Sequence, residues 1–532
     1  MLYKPDGATA VTNDGAKIVA ELLVRHPAAK MMVSMANSQE EDCGDGVTTT
    51  MLICGSLLIE ANTLLRKGLH PLTLVDGYAL ALEAAREQMS ADERESDKPG
   101  LGAVAETALR GKVAESALDL FAPMIVEALS IVSKNREGAG AEHVTMHKTG
   151  TGGLRDSRLV SGIIVNRRVI MDGLPNDLSD AKVACLDGDL KMRELTRDIE
   201  IKITNAGELD SFVEAEHERR DAIAASVIGS GASAVLCSGE IDRDILHRLA
   251  DSGVLAVGEL DSSEIRNASE ALGARLTDSP LDLEASDLGH CGRLSWERRE
   301  ESDSVEDVIR IENCPSPAIV TIEVGGAGET GTEEVIRGLH DSLRATSLAF
   351  DEELLPGAGS IHARMAHAVR RALESQGGRE RLAMEAFARA LETIPATLSE
   401  NGGDDPLDRV LELRAAAREG TAPVGISPEG KTWEVNGVLH PRSVIENHMG
   451  REALVHEALE FMIPESLDQV LKDEEIQAFM EPRLEVLGME PVSYKAVVPL
   501  EPVVDLGDFQ GIRLDRELVE VTEDQVSEVI EN

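Results

Sequence analysis

Two short glycine-bounded carboxylates open apolar, helix-like stretches. Gly44-Asp45-Gly46-Val47-Thr48-Thr49-Thr50 leads into a run over 47–69 in which Leu52, Leu57, Leu58, Ala61 and Leu65 recur at helical spacing. Backbone N–H groups and threonine hydroxyls at a helix start can hold phosphate oxygens, helped by the helix's positive end. A carboxylate beside them can hold Mg²⁺, because hard cations take oxygen ligands and phosphates complete the shell. By composition alone the plainer reading is favoured, a Gly-Asp-Gly turn that only caps a helix. Asn13-Asp14-Gly15 opens the stretch 16–35. Asp14 could orient or deprotonate an attacking water, although Asn/Asp-Gly is also the commonest short hairpin signal.

A third carboxylate, Asp341, lies in a helical stretch over 332–348 whose apolar stripe is Val335, Ile336, Leu339 and Leu343. Two positions beyond Leu339 is about 200° around a helix, so Asp341 falls off that stripe, where a solvated face is the ordinary reading. Pro356-Gly357-Ala358-Gly359 reads as a loop between helices. Neither a Walker A sequence nor a G-x-G-x-x-G fingerprint occurs, so the two commonest nucleotide folds have no support.

The elements that would position these groups change texture along the chain. Helical periodicity covers 16–35, 47–69, 71–90 and 102–134, with a polar, breaker-rich edge at 91–100, and 143–170 switches to short alternating runs. From 181 to 300, apolar runs at Val183–Leu186, Ala234–Cys237 and Val254–Val257 alternate with polar helices at 207–229 and 241–252. Ala318–Val324 reads as a strand, and helices resume at 332–348, 358–375, 379–399 and 406–418. The fold class is mixed α/β and multidomain, with an α/β insert leaving and re-entering a helical base. Residues 451–472 read as two short helices split at Pro464, 483–513 alternate as a hairpin would, and 514–532 is an acidic helix start or linker.

Composition bounds the partners. The 532 residues leave room for roughly three or four domains. Against 97 Asp+Glu stand 52 Lys+Arg, of which 14 are Lys, for a formal charge of −45. Such a surface repels phosphate backbones and anionic lipids, which excludes nucleic acid and membrane as main partners. Dense carboxylates with scarce lysine suit a high-salt host, where screening relieves self-repulsion. Six scattered cysteines without C-x-x-C spacing signal neither zinc nor a disulfide framework and fit a reducing cytoplasm.

In their order and spacing, several segments resemble the group II chaperonins, the archaeal thermosome and its cytosolic relatives. They include Val11-Thr12-Asn13-Asp14-Gly15, His26-Pro27-Ala28-Ala29-Lys30-Met31, Gly44-Asp45-Gly46 with its threonines, and Gly68-Leu69-His70-Pro71. Further on come His340-Asp341-Ser342-Leu343, Pro356-Gly357-Ala358-Gly359, Gly377-Gly378-Arg379-Glu380-Arg381-Leu382-Ala383 and Ile394-Pro395-Ala396-Thr397-Leu398-Ser399-Glu400-Asn401-Gly402. The resemblance covers about 1–440. It implies an equatorial ATPase domain at 1–97 and 355–440, an intermediate hinge domain at 98–165 and 319–354, and an apical domain at 166–318. A helical protrusion acting as a lid is expected at about 238–275, where Ile241, Ile245, Leu246 and Leu249 would offer apolar contacts. ATP and Mg²⁺ are the implied cofactors. By this resemblance Asp45 binds Mg²⁺, Thr48 and Thr49 hold phosphate, Gly357 and Gly359 lie near the nucleoside, and Asp14 and Asp341 position the hydrolytic water. Gly15, Gly44, Gly46 and Thr50 complete the nucleotide-binding set.

The sequence also departs from that pattern. Met1 falls where the family is already well into its equatorial domain, so an L-G-P-K-G phosphate loop and the first strand and helix are not expected here. Val47 and Ala358 replace a threonine and a glycine of the family, and Val435 stands where an acidic residue would meet the ribose, leaving Glu434 one position away. After Gly437-Val438-Leu439-His440-Pro441 the chain resembles bacterial trigger factor instead, over about 441–532. Pro441-Arg442-Ser443-Val444-Ile445-Glu446-Asn447-His448-Met449-Gly450-Arg451-Glu452-Ala453-Leu454 and Val503-Val504-Asp505-Leu506-Gly507-Asp508-Phe509-Gln510-Gly511-Ile512 carry that likeness. An α+β fragment follows from it. Val435–His440 holds no Arg or Lys where a ribosome-docking loop would lie, so no ribosome contact is carried over.

Three readings follow. One is an ATP-driven folding machine that binds unfolded polypeptides and closes a lid, which in this family requires a homo- or hetero-oligomeric ring. Another is an ATP-independent holdase. The last is an inactive hybrid of two chaperone fragments.

Overall fold

The computed structural model describes residues 2–3, 9–10, 15–22, 24–136, 138, 140–171, 173–192, 206–300, 305–326, 329–420, 422–435, 437–449, 483–489 and 492–498. The sequence-based helices at 451–472 and the acidic stretch 514–532 lie outside these residues, as does Asp14.

After a short antiparallel pair, β1 (Leu2–Tyr3) with β2 (Thr9–Ala10), come α1 (Gly15–Ala20), α2 (Pro27–Cys43), α3 (Val47–Arg66) and α4 (Pro71–Asp92). His26-Pro27 and His70-Pro71 start α2 and α4 alike. Proline occupies a first-turn position that needs no N–H, and the histidine Nδ1 accepts from the backbone N–H two residues on, at 3.2 Å in both cases. The helix expected through 16–35 is therefore two helices, because a residue before proline is driven out of the helical region and His26 has ψ 133°.

The chain then climbs through α5 (Lys98–Leu109), α6 (Leu118–Asn135), β3 (Val144–Lys148) and β4 (Arg158–Val160). A larger layer follows: β5 (Ile163–Asn166), β6 (Asp177–Leu186), α7 (Ala206–Gly229), β7 (Ala234–Cys237), α8 (Arg243–Asp251), β8 (Leu255–Val257), α9 (Ser262–Leu272), β9 (Leu276–Thr277), β10 (Gly289–Glu300) and β11 (Val305–Glu312). Its seven strands run β5-β11-β10-β6-β7-β8, with β9 also on β6. The parallel members β6, β7 and β8 are apolar on both faces, as a doubly covered sheet requires.

Returning, β12 (Val320–Val324) inserts between β3 and β4, parallel to β3, and leads into α10 (Glu329–Leu348). The base is then completed by β13 (Leu354–Pro356), α11 (Ser360–Ser375), α12 (Glu380–Leu391), α13 (Thr393–Asn401), α14 (Pro406–Glu419), β14 (Val424–Ile426), β15 (Thr432–Glu434), β16 (Leu439–Pro441) and α15 (Arg442–Asn447). The stretch read as one helix over 379–399 divides at Glu392. Pro395 has no N–H for the Leu391 carbonyl, which interrupts the ladder there.

Burial follows this out-and-back path. In the base, Ile53, Ala81 and Met89 from the outgoing chain pack with Ile361, Met365 and Phe387 from the returning one. Between base and sheet, Phe121, Ile125 and Leu129 pack with Val320, Ile322 and Leu339. Two stretches, Val47–Arg66 and Ala114–Asn135, are long and apolar enough to cross a membrane by composition. In the fold, Phe121, Ile125, Leu129 and Val132 of the second line a protein core, and Ile53 of the first does the same.

The helices expected to stand out as a protrusion at 238–275 instead cover the sheet. The stretch 238–275 forms α8, β8 and α9 packed on the seven-stranded sheet, and Ile245, Leu246 and Leu249 are buried in its core rather than offered to a partner. Their spacing, i, i+1 and i+4, is that of a helix face, and nothing in such spacing tells which surface the face meets.

Residues 454–532 form a separate unit. Its described part is an antiparallel hairpin, β17 (Arg483–Met489) and β18 (Val492–Val497), with a bulge between Val486 and Gly488.

Candidate functional site

α2 ends and α3 begins across a three-residue turn. Gly44 (φ 67°) and Gly46 (φ 86°) both sit in the left-handed region, which reverses the chain between two helices and holds Asp45 at the apex. Close packing adds a second reason for glycine: a Cβ on Gly44 would lie 2.8 Å from the Asp341 carbonyl oxygen, and one on Gly46 would lie 2.3 Å from His448 Nε2. Gln39 Nε2 donates to the Asp45 carbonyl at 2.6 Å and fixes the turn from beneath.

The first backbone hydrogen bond of α3 runs from the Thr50 N–H to the Gly46 carbonyl at 2.9 Å. The N–H groups of Val47, Thr48 and Thr49 thus carry no helical partner and point out of the helix mouth. Gly46 supplies no side-chain cap. Thr48 is exposed and Thr49 half-buried, whereas Thr50 is fully buried and its hydroxyl donates to the Gly46 carbonyl at 3.1 Å. Of the three threonines, Thr50 is therefore turned into the helix and away from the mouth. Gly15, the first residue of α1, abuts Thr48: a Cβ there would lie 2.3 Å from Thr48 Oγ1.

Asp341 reaches this turn from α10, some three hundred residues along the chain. It is 4% exposed, and its Oδ2 accepts from Lys112 Nζ at 2.6 Å. Burial alone would lower the Lys112 pKa, but Asp45, Asp341 and Glu40 together raise it above the ordinary lysine value. One ammonium is thus shared among three carboxylates, which makes the pocket strongly attractive to cations. Lys112 escaped the sequence reading. Its available signal was its rarity, as one of few lysines, following Gly111; the stretch read as one helix over 102–134 breaks there, between α5 and α6.

The loop Gly357-Ala358-Gly359 connects β13 to α11 on the other side of the pocket. The Gly357 N–H donates to Val438 O at 2.8 Å, and a Cβ on Gly357 would lie 2.8 Å from the His440 ring. Gly359 packs against Pro395. Ala358 holds φ 53°, which costs an L-residue about 1–2 kcal/mol. Its Cβ fits because the facing residue is Gly425, and its carbonyl accepts from Ile426 N at 2.8 Å. Glu434 does not join the site. At the end of β15 the extended chain turns Val435, the next residue, inward, 1% exposed and against Gly425, and leaves Glu434 exposed.

Three histidines the sequence reading passed over lie under the turn. His440 Nδ1 is 3.7 Å from Asp45 Oδ2. His362 and His448 are 3% and 4% exposed, with rings stacked at 5.6 Å and Nε2 of the first 3.4 Å from Nδ1 of the second. Burial, reinforced by His440, pushes His362 down to about 3, and burial with both neighbours holds His448 well below the usual histidine range. His448 Nε2, aimed at Gly46, has no hydrogen-bond partner among the described residues.

The chain belongs to the TCP-1/cpn60 chaperonin family, whose sequence pattern matches residues 1–461. Within that family it is similar to thermosome subunits. That of Methanopyrus kandleri is 34% identical over 454 residues, covering 84% of this chain and 83% of the relative. Thermosome subunit beta of Archaeoglobus fulgidus is 34% identical over 460 residues (85% and 84%), and thermosome subunit 1 of Haloferax volcanii is 34% identical over 451 residues (84% and 80%). Residues 439–532 match a second family, bacterial trigger factor protein, so the two matches overlap over 439–461.

Proposed function

We infer that the chain is a chaperonin subunit that binds unfolded polypeptides and couples ATP binding and hydrolysis to closure of its upper layers over them. The observation that carries this reading is the convergence of Asp341 and Lys112 on the Gly44-Asp45-Gly46 turn at the open mouth of α3. Val47, Thr48 and Thr49 offer backbone and hydroxyl donors for phosphate oxygens there, and the two left-handed glycines leave the cradle clear of side chains. Asp45 would hold Mg²⁺, which when bound neutralises phosphate charge. Asp341 would orient the attacking water, together with Asp14 from outside the described residues. Asp341 rides on α10, so its approach is governed by the angle between the middle layer and the base. A cleft of about 700 Å³ between the end of α2 and β3 and α10, bordered by Asp42, Glu142, His340 and Arg344, leaves room for that angle to change.

In this reading the helical base is the equatorial domain, the β3-β12-β4 layer with α5, α6 and α10 the intermediate one, and the seven-stranded layer the apical one. The similarity to proteins described as subunits supports assembly into a ring. All six cysteines are free, which suits a reducing cytoplasm.

The test is Mg²⁺-dependent ATP turnover by the full chain beside Asp45→Ala and Asp341→Ala, with mass measured in solution. Turnover lost in both variants is expected, with ring-sized particles. Absence of turnover in the parent chain, with suppression of client aggregation in the absence of ATP, would replace this reading by that of a holdase.

A further inference from the structure

Residues 439–449 fall inside both family matches, and in the fold they close the joint between the base and the middle layer. The chain crosses that joint twice, outward near residues 93–97 and back near 349–354. The two crossings touch: Arg94 N–H donates to Leu354 O at 3.0 Å, and Leu354 N–H to Arg94 O at 2.9 Å. β16 then pairs with the far side of β13, Leu354 opposite Pro441 and Leu355 opposite His440. Arg94, Leu354 and Pro441 thus lie in three successive extended segments.

Arg442 binds both crossings. Its backbone N–H donates to Glu353 O at 3.0 Å on the returning one, and its guanidinium pairs with Glu93 on the outgoing one and with Ser90 Oγ at 3.3 Å. Nε reaches Glu446 Oε2 at 3.2 Å, and Glu446 also pairs with Arg86 of α4. Ser443 N–H donates to Glu352 Oε2 at 2.9 Å, and Val444 and Ile445 are buried in the base. The same eleven residues carry His440, facing Asp45, and His448, beneath Gly46.

We propose that residues 439–449 are a clasp linking the Gly44-Asp45-Gly46 turn to the joint, and that Arg442 is a positioning residue that holds the joint at the angle bringing Asp341 to the turn. This rests on the ATPase reading above for its catalytic consequence, while the clasp itself rests on the joint. A guanidinium suits the task because its planar fork serves several acceptors in a fixed geometry, whereas an ammonium is a compact charge on a flexible stem.

The experiment uses the full chain with Arg442→Gln, Arg442→Lys, Glu93→Gln and the Arg442→Gln/Glu93→Gln double variant, each checked for native circular dichroism. Amide hydrogen exchange at Arg94 and Leu354 should accelerate at least tenfold in Arg442→Gln, with α11 and α12 unchanged. The kcat for MgATP should fall about five- to tenfold with KM held within twofold, since Arg442 touches no part of the cradle. Arg442→Lys should recover only part of this, and the double variant should be no worse than either single one. Unchanged exchange at Arg94 and Leu354 overturns the clasp. Faster exchange with unchanged kcat, or with KM rising in step, overturns the positioning role. A parent chain that hydrolyses no ATP overturns the preceding reading and the positioning role with it, and leaves the clasp judged by exchange alone.

Discussion

Lys112 Nζ lies 2.6 Å from Asp341 Oδ2, and this pair joins the loop before α6 to the helix that returns from the sheet. Both groups are largely removed from water, with side chains 22% and 5% exposed. Lys112→Ala removes the ammonium that lies 2.6 Å from a buried carboxylate, which should destabilise the chain by about 1–3 kcal/mol in urea unfolding. Lys112→Ala with Asp341→Asn should recover much of that stability without recovering turnover. Because Lys112 is held above its ordinary pKa, its contribution is complete below the unfolded lysine value and is lost only as pH rises through the folded one. Stability from this pair should therefore be flat from pH 6 to 9, and a decline within that window would contradict the assignment.

The histidine pair gives the opposite sign. His362 and His448 are neutral in the fold and held below their unfolded pKa values, so their contribution is present above the unfolded value and is lost as pH falls through the folded one. From about pH 6.5 downward these two should lower the unfolding free energy by at most about 2.7 kcal/mol per pH unit for two protons, in addition to what the likewise depressed His440 contributes. His362→Phe should reduce the slope by at most about 1.4 kcal/mol per pH unit, one proton's share, measured by urea unfolding between pH 7 and pH 4.5.

Ala358 carries strain that its neighbour tolerates. Ala358→Gly should stabilise the chain by about 1 kcal/mol in thermal unfolding by removing a Cβ from the left-handed region. The reverse change across the contact should do the opposite. A Cβ on Gly425 would lie 2.6 Å from Ala358 O and 2.7 Å from Val435 Cγ2, so Gly425→Ala should destabilise by about 1–3 kcal/mol.

Gly15→Ala separates stability from nucleotide binding. The atom it meets is the hydroxyl of exposed Thr48, which can rotate away, so the unfolding midpoint should barely move. The displaced hydroxyl faces the helix mouth, so KM for MgATP should rise severalfold with kcat little changed. A lowered midpoint with unaltered KM would remove Thr48 from the cradle.

Periodicity and punctuation located most elements of the base and the sheet, because Val183–Leu186 and Ala234–Cys237 are the buried parallel strands their apolar runs suggested. Boundaries failed where one residue outweighed a period, as at Pro27 and Pro395. The Gly44-Asp45-Gly46 turn was legible because its geometry is local to three residues. Asp341 looked like a surface residue, yet it is buried beside Lys112, which no helical wheel can bring near. Glu434 failed by the opposite route: period two in a strand sends neighbours to opposite faces, so one position decides between pocket and solvent. His448 was read as part of a second family's pattern and His440 as the last residue of the first; the pairing of β16 with β13 fixes the place of His440, and close packing under Gly46 that of His448.

The out-and-back path of the chain has a consequence for its own synthesis. Ile53, Ala81 and Met89 are covered by α11 and α12, yet α4 ends at Asp92 and α11 starts at Ser360. At translation rates of 5–20 residues per second, the intervening stretch of about 270 residues takes on the order of 15–50 s to emerge. Throughout that interval the half-built base presents the same kind of bare apolar surface that a folding machine exists to shelter in others.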